Sequence, residues 1–304
     1  MDAKTLILGN SRDAREIAEE LLEKDGDVIV AMPAGIGNAA LFDDLHAEGK
    51  TGKLEIIPVA GSVSCSGSVG HFSLTFTGND HPVTRTVSSI VIADEATRKP
   101  NFALYGLTAS KGVVSLSPFR EMMEAGADHA DKELSGKRIA IFTGLVKESN
   151  PVISEEIMRC TIKLQKKFNC QTYVFTGNLK VAGNGLEALY RQTKEAGAVY
   201  MKFTETVPDV DVDKSGKVTI TYIDEIIRET FTLNPDVTVI DETLQPSVFL
   251  QDLSKKLEID TGPDGFGQSD NVHRATVFTN RKGIFVAASS RHVQTGEEKQ
   301  TDVS

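Results

Sequence analysis

The sequence predicts an α/β protein of two units, with the second unit inserted into the first. Three features of the chain support this prediction. Short apolar runs of strand length alternate with amphipathic helical segments near the N-terminus, and the same alternation starts again at about Lys137. A β-rich stretch separates these two regions. A last strand-like run near the C-terminus then returns the chain to the first unit.

The first unit starts with a strand, a helix and a second strand. Thr5–Leu8 and Val28–Met32 are apolar runs of strand length, and Arg12–Lys24 between them has apolar residues at helical spacing. This order is typical of a βαβ unit, whose two strands lie parallel in one sheet. We predict a β-meander next, with strands at Leu54–Val59, Val63–Ser66, Phe72–Phe76 and Thr86–Ile92 and a turn at Gly78–Asp80.

The second unit follows the polar stretch Asp128–Gly136. Its longest predicted helix, Ser154–Lys167, has Ser154 as the expected N-cap. The other predicted elements are strands at Lys137–Phe142, Thr172–Phe175, Val199–Phe203, Thr230–Leu233 and Val237–Ile240, a helix at Gly185–Glu195, and a hairpin of Val207–Val212 and Lys217–Tyr222 around Asp213–Gly216. A helix at Val248–Leu257 and a strand at Gly283–Ala287 complete the chain.

This order of elements predicts the fold with two dinucleotide-binding domains that is found in flavoproteins. A Rossmann-like domain of the FAD type would consist of residues 1–130 and 236–304. An inserted NAD-type α/β domain with a hairpin would consist of residues 131–235.

Composition and charge exclude several classes of function. The chain has 304 residues, with 33 Lys and Arg against 43 Asp and Glu and a net charge of −10, and no basic block follows the pattern of a phosphate-binding surface. Nucleic acid is therefore not an expected partner. The longest apolar runs, Ile139–Phe142 and Ile284–Ala288, are far shorter than the roughly 20 residues of a membrane span. No signal peptide is visible, so we expect a cytoplasmic location.

The spacing of potential ligands predicts no metal site. Cys65, Cys160 and Cys170 form no Cys-x-x-Cys pair, so we expect neither an iron–sulfur cluster nor structural zinc, and each should be a buried or half-buried thiol. The alternating acids Asp209, Asp211 and Asp213 lack the bidentate acid of a calcium loop; these three are predicted to lie on a solvated hairpin strand. No catalytic residue follows from sequence order.

Several stretches carry a resemblance to a known family. They are Pro33–Asn38 and Gly67–Phe72 near the front, and Asn184–Tyr190, Lys194–Ala198, Gly262–Phe266 and Lys282–Ala287 in the second half. In their spacing they are similar to the flavin subunit of heterodisulfide reductase and to the related flavin subunits of quinone-interacting oxidoreductases. The resemblance covers most of the chain and implies an FAD-binding fold with redox-active protein partners.

The first strand–helix turn departs from the pattern that a dinucleotide needs. That pattern is Gly-x-Gly-x-x-Gly, with the second glycine allowing the pyrophosphate to approach the backbone. Here the turn has Gly9 and Ala14 at the first and third positions but Ser11 at the second. Asp13 adds a negative charge that repels a pyrophosphate, and Arg12 would offset part of it. The turn could also keep its shape and bind nothing.

Three other segments depart from the family pattern in the same way. The second strand ends in Ala31–Met32, without the acid that binds ribose hydroxyls. Ala93–Glu95 stands where the family has Ala-Thr-Gly, and Ala287–Ser289 stands where the last strand should meet the flavin. The resemblance nevertheless implies a degenerate FAD site, for which the candidate residues are Gly9, Ser11, Arg12, Ala14, Gly35, Gly37, Ala93 and Ala288.

The inserted domain is altered too. Thr143–Glu148 lacks a second glycine at dinucleotide spacing, and Asn150–Arg159 lacks the family's cysteines, with Cys160 just beyond. We therefore expect either no cofactor or FAD alone, and no iron–sulfur cluster held by this chain. The leading hypothesis is a structural subunit of an electron-transfer complex, with flavin or iron–sulfur proteins as partners. The alternatives are an active FAD oxidoreductase in which Ser11 and Arg12 donate to the pyrophosphate, and a nucleotide sensor that binds ADP or AMP.

Overall fold

The computed structural model divides the chain into two compact units. The first unit consists of Met1–Thr97 and Gln245–Ser304, and the second of Arg98–Leu244. The structure describes residues 4–33, 39–46, 53–77, 81–125, 127–145, 149–179, 181, 185–271 and 276–291.

The elements follow one another in this order. The first segment forms β1 (Lys4–Leu8), α1 (Arg12–Glu23), β2 (Asp27–Pro33), a 3-10 helix (Ala39–His46), β3 (Leu54–Val59), β4 (Val63–Ser68), β5 (His71–Phe76), β6 (Val83–Val87) and β7 (Ser89–Ile92). The middle of the chain forms β8 (Thr97–Pro100), a 3-10 helix (Phe102–Tyr105), β9 (Val113–Ser115), α2 (Leu116–Glu124), α3 (Ala127–Leu134), β10 (Arg138–Thr143), α4 (Pro151–Phe168), β11 (Gln171–Thr176), α5 (Leu186–Glu195), β12 (Val199–Lys202), β13 (Asp209–Val212), β14 (Val218–Ile223), β15 (Thr230–Leu233), β16 (Val237–Ile240) and β17 (Glu242–Gln245). The last segment forms α6 (Val248–Lys256), β18 (Ile284–Val286) and a 3-10 helix (Ala288–Ser290).

The first unit is built on a parallel sheet of five strands in the order β18-β7-β1-β2-β3. Its central strand β1 is buried on both faces, because side chains alternate between the two sides of a strand. Ile7 faces the cluster that α1 covers, whereas Leu6 and Leu8 face the cluster formed with α6 and the antiparallel sheet β4-β5-β6. Burial on both faces explains why this strand is continuously apolar.

The second unit repeats this plan. Its parallel sheet has the order β12-β11-β10-β16-β9. Ile139 and Ile141 of β10 pack against α2, α3 and α4 on one face. Ala140 and Phe142 pack on the other face against the antiparallel sheet β13-β14-β15. The predicted α/β fold is confirmed, and in both units the central strand of the parallel sheet, β1 or β10, is buried on both faces.

The β-rich stretch of the first unit is divided differently from the prediction. Leu54–Val59 was expected in the meander but joins the parallel sheet beside β2. The predicted single strand Thr86–Ile92 is two strands in different sheets, β6 and β7. The chain changes sheet at Ser88, whose backbone N–H donates to the Lys4 carbonyl at 2.8 Å. The predicted turn at Gly78–Asp80 lies outside the described residues.

The boundaries of the second unit also differ from those predicted from the sequence. Residues 98–130 and 236–244 belong to the second unit, because the short strand β9 pairs with β16 and α2 packs on the same core as β10. Within the polar stretch Asp128–Gly136, most residues form α3, where Ala130 and Leu134 are buried one helical turn apart. Two apolar positions are enough to fix a short helix on a core but too few to predict one.

Helix α4 begins earlier than expected. Asn150 is its N-cap, with Oδ1 accepting from the Val152 N–H at 2.9 Å, and Pro151 occupies the first helical position. Proline is well suited there, since its missing N–H would have no helical acceptor. Ser154, the predicted N-cap, lies inside the helix and is buried.

Substitution tests the two N-cap assignments against each other. We expect Asn150→Ala to lower the free energy of unfolding by about 1 kcal/mol, since one helix N–H loses its acceptor. Ser154→Ala should not lower it comparably, because alanine has the higher helix propensity at an interior position. Urea unfolding followed by circular dichroism measures both. A larger loss in Ser154→Ala than in Asn150→Ala would contradict the assignment.

Candidate functional site

The turn between β1 and α1 lies at the carboxyl edge of the parallel sheet, where ligands bind in folds of this kind. Gly9 has a φ of 145°, and a Cβ there would lie 2.2 Å from the Ala93 carbonyl oxygen. Its N–H donates to the Ala31 carbonyl at 3.0 Å, while the Ala93 N–H donates to the Leu8 carbonyl at 3.0 Å. Gly9 is therefore held between the ends of β2 and β7, with no room for a side chain.

Ser11 is the N-cap of α1 and points into the protein. Its Oγ accepts from the Ala14 N–H at 3.0 Å and donates to the Ala93 carbonyl at 2.7 Å. The sequence led us to expect this side chain in the space of a pyrophosphate. Instead, its hydroxyl oxygen accepts a hydrogen bond from one of the N–H groups at the helix N-terminus that have no partner within the helix. In dinucleotide folds, these N–H groups bind phosphate. Ala14 is buried behind it, and Arg12 is exposed.

Asp94 places a carboxylate beside this turn. The residue is 4% exposed, and its Oδ2 accepts a hydrogen bond from Ser247 Oγ. Burial raises the pKa of Asp94 above its usual value, although the Ser247 hydroxyl and the backbone N–H groups of Glu95 and Asn10 act in the opposite direction. The N–H of Asn10, inside the glycine turn, thus faces an acid that belongs to the chain itself.

Asp94 is fixed from two distant parts of the first unit. Ser247 is the N-cap of α6, where its Oγ also accepts from the Leu250 N–H at 2.9 Å. The Asp94 N–H donates to Ser290 Oγ at 2.6 Å, and this hydroxyl donates to the Asp94 carbonyl at 3.2 Å. The carboxylate position is therefore set by a helix terminus on one side and by the segment after β18 on the other.

The segment after β18 contains the candidate residue Ala288. This alanine is buried and has a φ of 51°, in the left-handed region that L-residues rarely adopt. The Ala287 N–H donates to the Ile92 carbonyl at 2.9 Å, and the 3-10 turn that follows brings Ser290 to Asp94. The left-handed turn at Ala288 serves this internal contact.

The end of β2 provides only apolar side chains among the described residues. Ala31 is fully buried, and Met32 packs in one cluster with Phe42 and Leu45 of the following 3-10 helix. Among the described residues at this strand end, none supplies a carboxylate to a ribose hydroxyl. The candidates Gly35 and Gly37 lie outside the described residues.

The second unit has the same arrangement, which the sequence analysis missed. Asp241 follows β16 directly and is 2% exposed. Its Oδ2 accepts from the Gly144 N–H at 2.9 Å, and its Oδ1 accepts from Asn101 Nδ2 at 2.9 Å and from the Tyr105 hydroxyl at 2.7 Å. Burial raises the pKa of Asp241, and these hydrogen bonds partly offset the effect.

The two aspartates occupy equivalent positions. β7 is parallel to β1, and β16 is parallel to β10. In each unit an acid comes after a strand that neighbours the central strand, and it meets the glycine turn that follows the central strand. The pattern Val91-Ile92-Ala93-Asp94 and Val239-Ile240-Asp241, an acid after a buried strand in both units, would have indicated the pair from sequence.

Burial disfavours the thiolate form of all three cysteines. Burial raises the pKa of Cys160 to about 12 and that of Cys170 to about 11, and it also raises the pKa of Cys65. All three are free thiols. The described residues contain no group of three potential ligands that would hold a metal ion. None of the helices in the described parts of the chain is long and apolar enough to cross a lipid bilayer.

Comparison with known proteins identifies the fold. No protein-family model and no curated protein matches the sequence. Among solved structures, the chain is similar to the Cu(II) complex of the HOCl-induced flavoprotein disulfide reductase RclA from Escherichia coli, with a TM-score of 0.58 and 12% identity over 100% of this chain and 69% of that one. It is similar to thioredoxin reductase of Lactococcus lactis, with a TM-score of 0.56 and 16% identity over 99% of this chain and 94% of that one.

A third similar structure is a covalent complex of putidaredoxin reductase with putidaredoxin, with a TM-score of 0.50 and 13% identity over 96% of this chain and 69% of that one. At such identities the likeness shows the fold alone. The fold is that of the reductases with two dinucleotide-binding domains, as the sequence predicted. The resemblance to the flavin subunit of heterodisulfide reductase stays a prediction.

The residues at the β1–α1 turn do not fit the dinucleotide that this fold implies. A pyrophosphate needs free N–H groups and a low negative potential at the turn. Here Ser11 occupies the Ala14 N–H, and the Asp94 carboxyl group faces the Asn10 N–H. When ionised, that carboxylate would also repel the pyrophosphate.

The pH dependence of stability tests the environment of Asp94. Because its folded-state pKa lies above the usual value of 3.8, its stabilising contribution is present at low pH and is lost as the pH rises through the folded-state pKa. We therefore expect the difference in unfolding free energy, wild type minus Asp94→Asn, to decrease as the pH is raised above about 4. The decrease should be about 1.4 kcal/mol per unit of pKa elevation.

Asp213→Asn is the matched control. The Ser215 hydroxyl and the Lys217 N–H lower the pKa of Asp213, so its contribution is present at neutral pH and is lost on acidification. Urea unfolding at a series of pH values should give slopes of opposite sign for the two variants. The same sign for both would show that Asp94 is not held in a desolvated site.

Proposed function

We propose that this chain is a non-catalytic subunit of an electron-transfer complex, with the fold of a flavoprotein disulfide reductase and a flavin site that no longer binds flavin. In this proposal it corresponds to the flavin subunit of heterodisulfide reductase and associates with flavin or iron–sulfur proteins that carry the electrons. The observation that carries the proposal is the buried Asp94 carboxyl group at the β1–α1 turn.

The second unit supports the same conclusion independently. Asp241 accepts the Gly144 N–H at 2.9 Å in the place where a nicotinamide dinucleotide would approach its glycine turn. An active reductase of this fold needs both a flavin and an electron donor. Loss of phosphate-binding donors in both units therefore favours a scaffold over an enzyme with one modified site.

The thiol chemistry also favours a scaffold. A disulfide reductase that passes electrons through cysteine needs a thiolate near neutral pH. Cys160 has a pKa of about 12 and Cys170 of about 11, so neither supplies one. Three free thiols without a disulfide fit a reducing compartment, and the proposal includes the cytoplasmic location expected from the sequence.

The surface of the second unit offers a place for a protein partner. Ile226 and Ile227, at the turn between β14 and β15, are 91% and 57% exposed, and Phe231 on the edge strand β15 is 41% exposed. Contiguous exposed apolar side chains are typical of interaction sites. The similar putidaredoxin reductase was crystallised as a complex with putidaredoxin, which is a precedent for partner binding on this fold.

Flavin content is the direct test. We expect the recombinant chain to be colourless, and its addition to FAD to cause no saturable change in flavin fluorescence up to about 1 mM. Stoichiometric flavin absorbance near 450 nm would refute the proposal and support the active-oxidoreductase alternative. In that case Arg12→Glu should release the flavin, because the alternative assigns Arg12 to the pyrophosphate.

The partner proposal needs a separate measurement. The tagged chain, isolated from its native host under anaerobic conditions, should carry flavin or iron–sulfur absorbance that is lost when the complex is dissociated. Ile226→Asp with Ile227→Asp should reduce the recovered chromophore severalfold, with the exposed Lys214→Asp as a surface control. A chain isolated without any chromophore-bearing partner would contradict this part of the proposal.

A further inference from the structure

The second unit contains a cavity at the edge of its parallel sheet opposite to Asp241. It lies at the amino ends of β9, β10 and β16, where Gly112, Arg138 and Val237 contribute to its wall. Ser215 and Gly216, at the turn between β13 and β14, close it on another side. Its volume of about 460 Å³ is in the range of small-molecule sites, which is roughly 300–1,000 Å³.

The wall of this cavity is cationic in a chain of net charge −10. Its lining includes Lys111, Lys137, Arg138 and Lys217, against the two acids Glu133 and Asp236. This is a surplus of two positive charges. A concave surface lined by charges of one sign raises the local concentration of ions of the other sign.

The two acids are already engaged with neighbours. Glu133 lies 3.9 Å from Lys137 Nζ, one helical turn away, and Asp236 Oδ2 accepts from the Arg138 backbone N–H at 2.8 Å. Because the bond to Asp236 uses the backbone N–H of Arg138, it leaves the guanidinium group of Arg138 available for other contacts. Lys111 and Lys217 approach from different segments of the chain, a loop before β9 and the start of β14.

Besides the charged residues and the polar Ser215 and Asn234, the wall has an apolar part. It is formed by Val114, Met122, Val218, Pro235 and Val237. An apolar surface contributes nothing to the binding of a free inorganic ion. Binding sites for organic ligands, by contrast, combine apolar walls with a few charged groups. The ligand should therefore have both an apolar or planar body and an anionic group.

We propose that this cavity binds a phosphate monoester of about the size of a mononucleotide. A phosphate monoester has a charge of roughly −1.5 to −2 at neutral pH, which matches the surplus of two positive charges in the wall. The proposal is independent of the flavin site, because the residues of that site belong to the first unit and those of the cavity to the second. It assigns to the chain a ligand of its own.

The test uses AMP, ribose 5-phosphate and 4-nitrophenyl phosphate as probes, with adenosine as the uncharged comparison. We expect at least one of the three phosphates to bind saturably in calorimetry with a 1:1 stoichiometry, more weakly at 0.5 M salt than at 0.05 M, and adenosine not to bind. Lys111→Gln and Lys217→Gln should each weaken the binding about fivefold, as expected for one solvent-accessible ionic contact. Lys214→Gln is the matched control, on the same turn but outside the cavity wall.

Amide chemical shifts locate the ligand in the intact chain. A saturating concentration of the phosphate monoester that binds should shift the amide signals of Gly112 and Gly216 and leave those of Gly9 and Gly144 unchanged. The proposal is overturned if none of the three phosphates binds saturably up to 10 mM. Weakening of phosphate binding by Lys214→Gln to the same extent as by Lys111→Gln or Lys217→Gln would also overturn it. Chemical-shift changes centred on Gly9 or Gly144 would overturn it as well, because the ligand would then lie at one of the glycine turns.

Discussion

The buried carboxyl group of Asp94 is the constraint on which the functional edge of the first unit depends. It meets a helix terminus through Ser247, the glycine turn through Asn10, and the segment after β18 through the bond between its backbone and Ser290. Of these three segments, the glycine turn is the one at which the pyrophosphate of a dinucleotide binds in folds of this kind. A carboxyl group that joins them places a hydrogen-bond acceptor of the chain itself at the backbone donor of Asn10. The edge can therefore be ordered without a ligand.

Asp241 extends this reasoning to the second unit, where the donor is the Gly144 N–H. The neighbouring Glu242 differs instructively. Burial alone would raise its pKa, but hydrogen bonds from Ser117 and the ion pair with Arg98 outweigh burial and hold the pKa below its usual range. Adjacent acids on one strand end thus have opposite environments, one without a cationic partner and one with it. Asp241 thus meets the glycine turn, whereas Glu242 holds the start of β17 to Ser117 and Arg98.

The sequence was sufficient for the fold but only partly for the site. The periodicity of Arg12–Lys24 and the apolar runs around it predicted the βαβ unit, because burial on both faces leaves a continuous apolar pattern. The structure places Gly9, Ser11 and Ala14 together at the turn after β1, and their assignment to a flavin site stays a prediction. The sequence shows an acid after each of two buried strands, but the partners of Asp94 could not be predicted, since Ser247 and Ser290 follow it at 153 and 196 positions along the chain. The burial of Asp94 depends on the tertiary fold.

The arrangement around Asp94 also limits what sequence change can do. A single substitution that removes the carboxyl group leaves the Ser247 hydroxyl without its acceptor, and Ser11 still occupies the Ala14 N–H. Because Asp94, Ser247 and Ser290 share one hydrogen-bond network, the effects of substitutions at these positions on the free energy of unfolding should not be additive. Residues that stand 153 and 196 positions apart in the chain therefore have to be changed together before the arrangement at this edge of the sheet is altered.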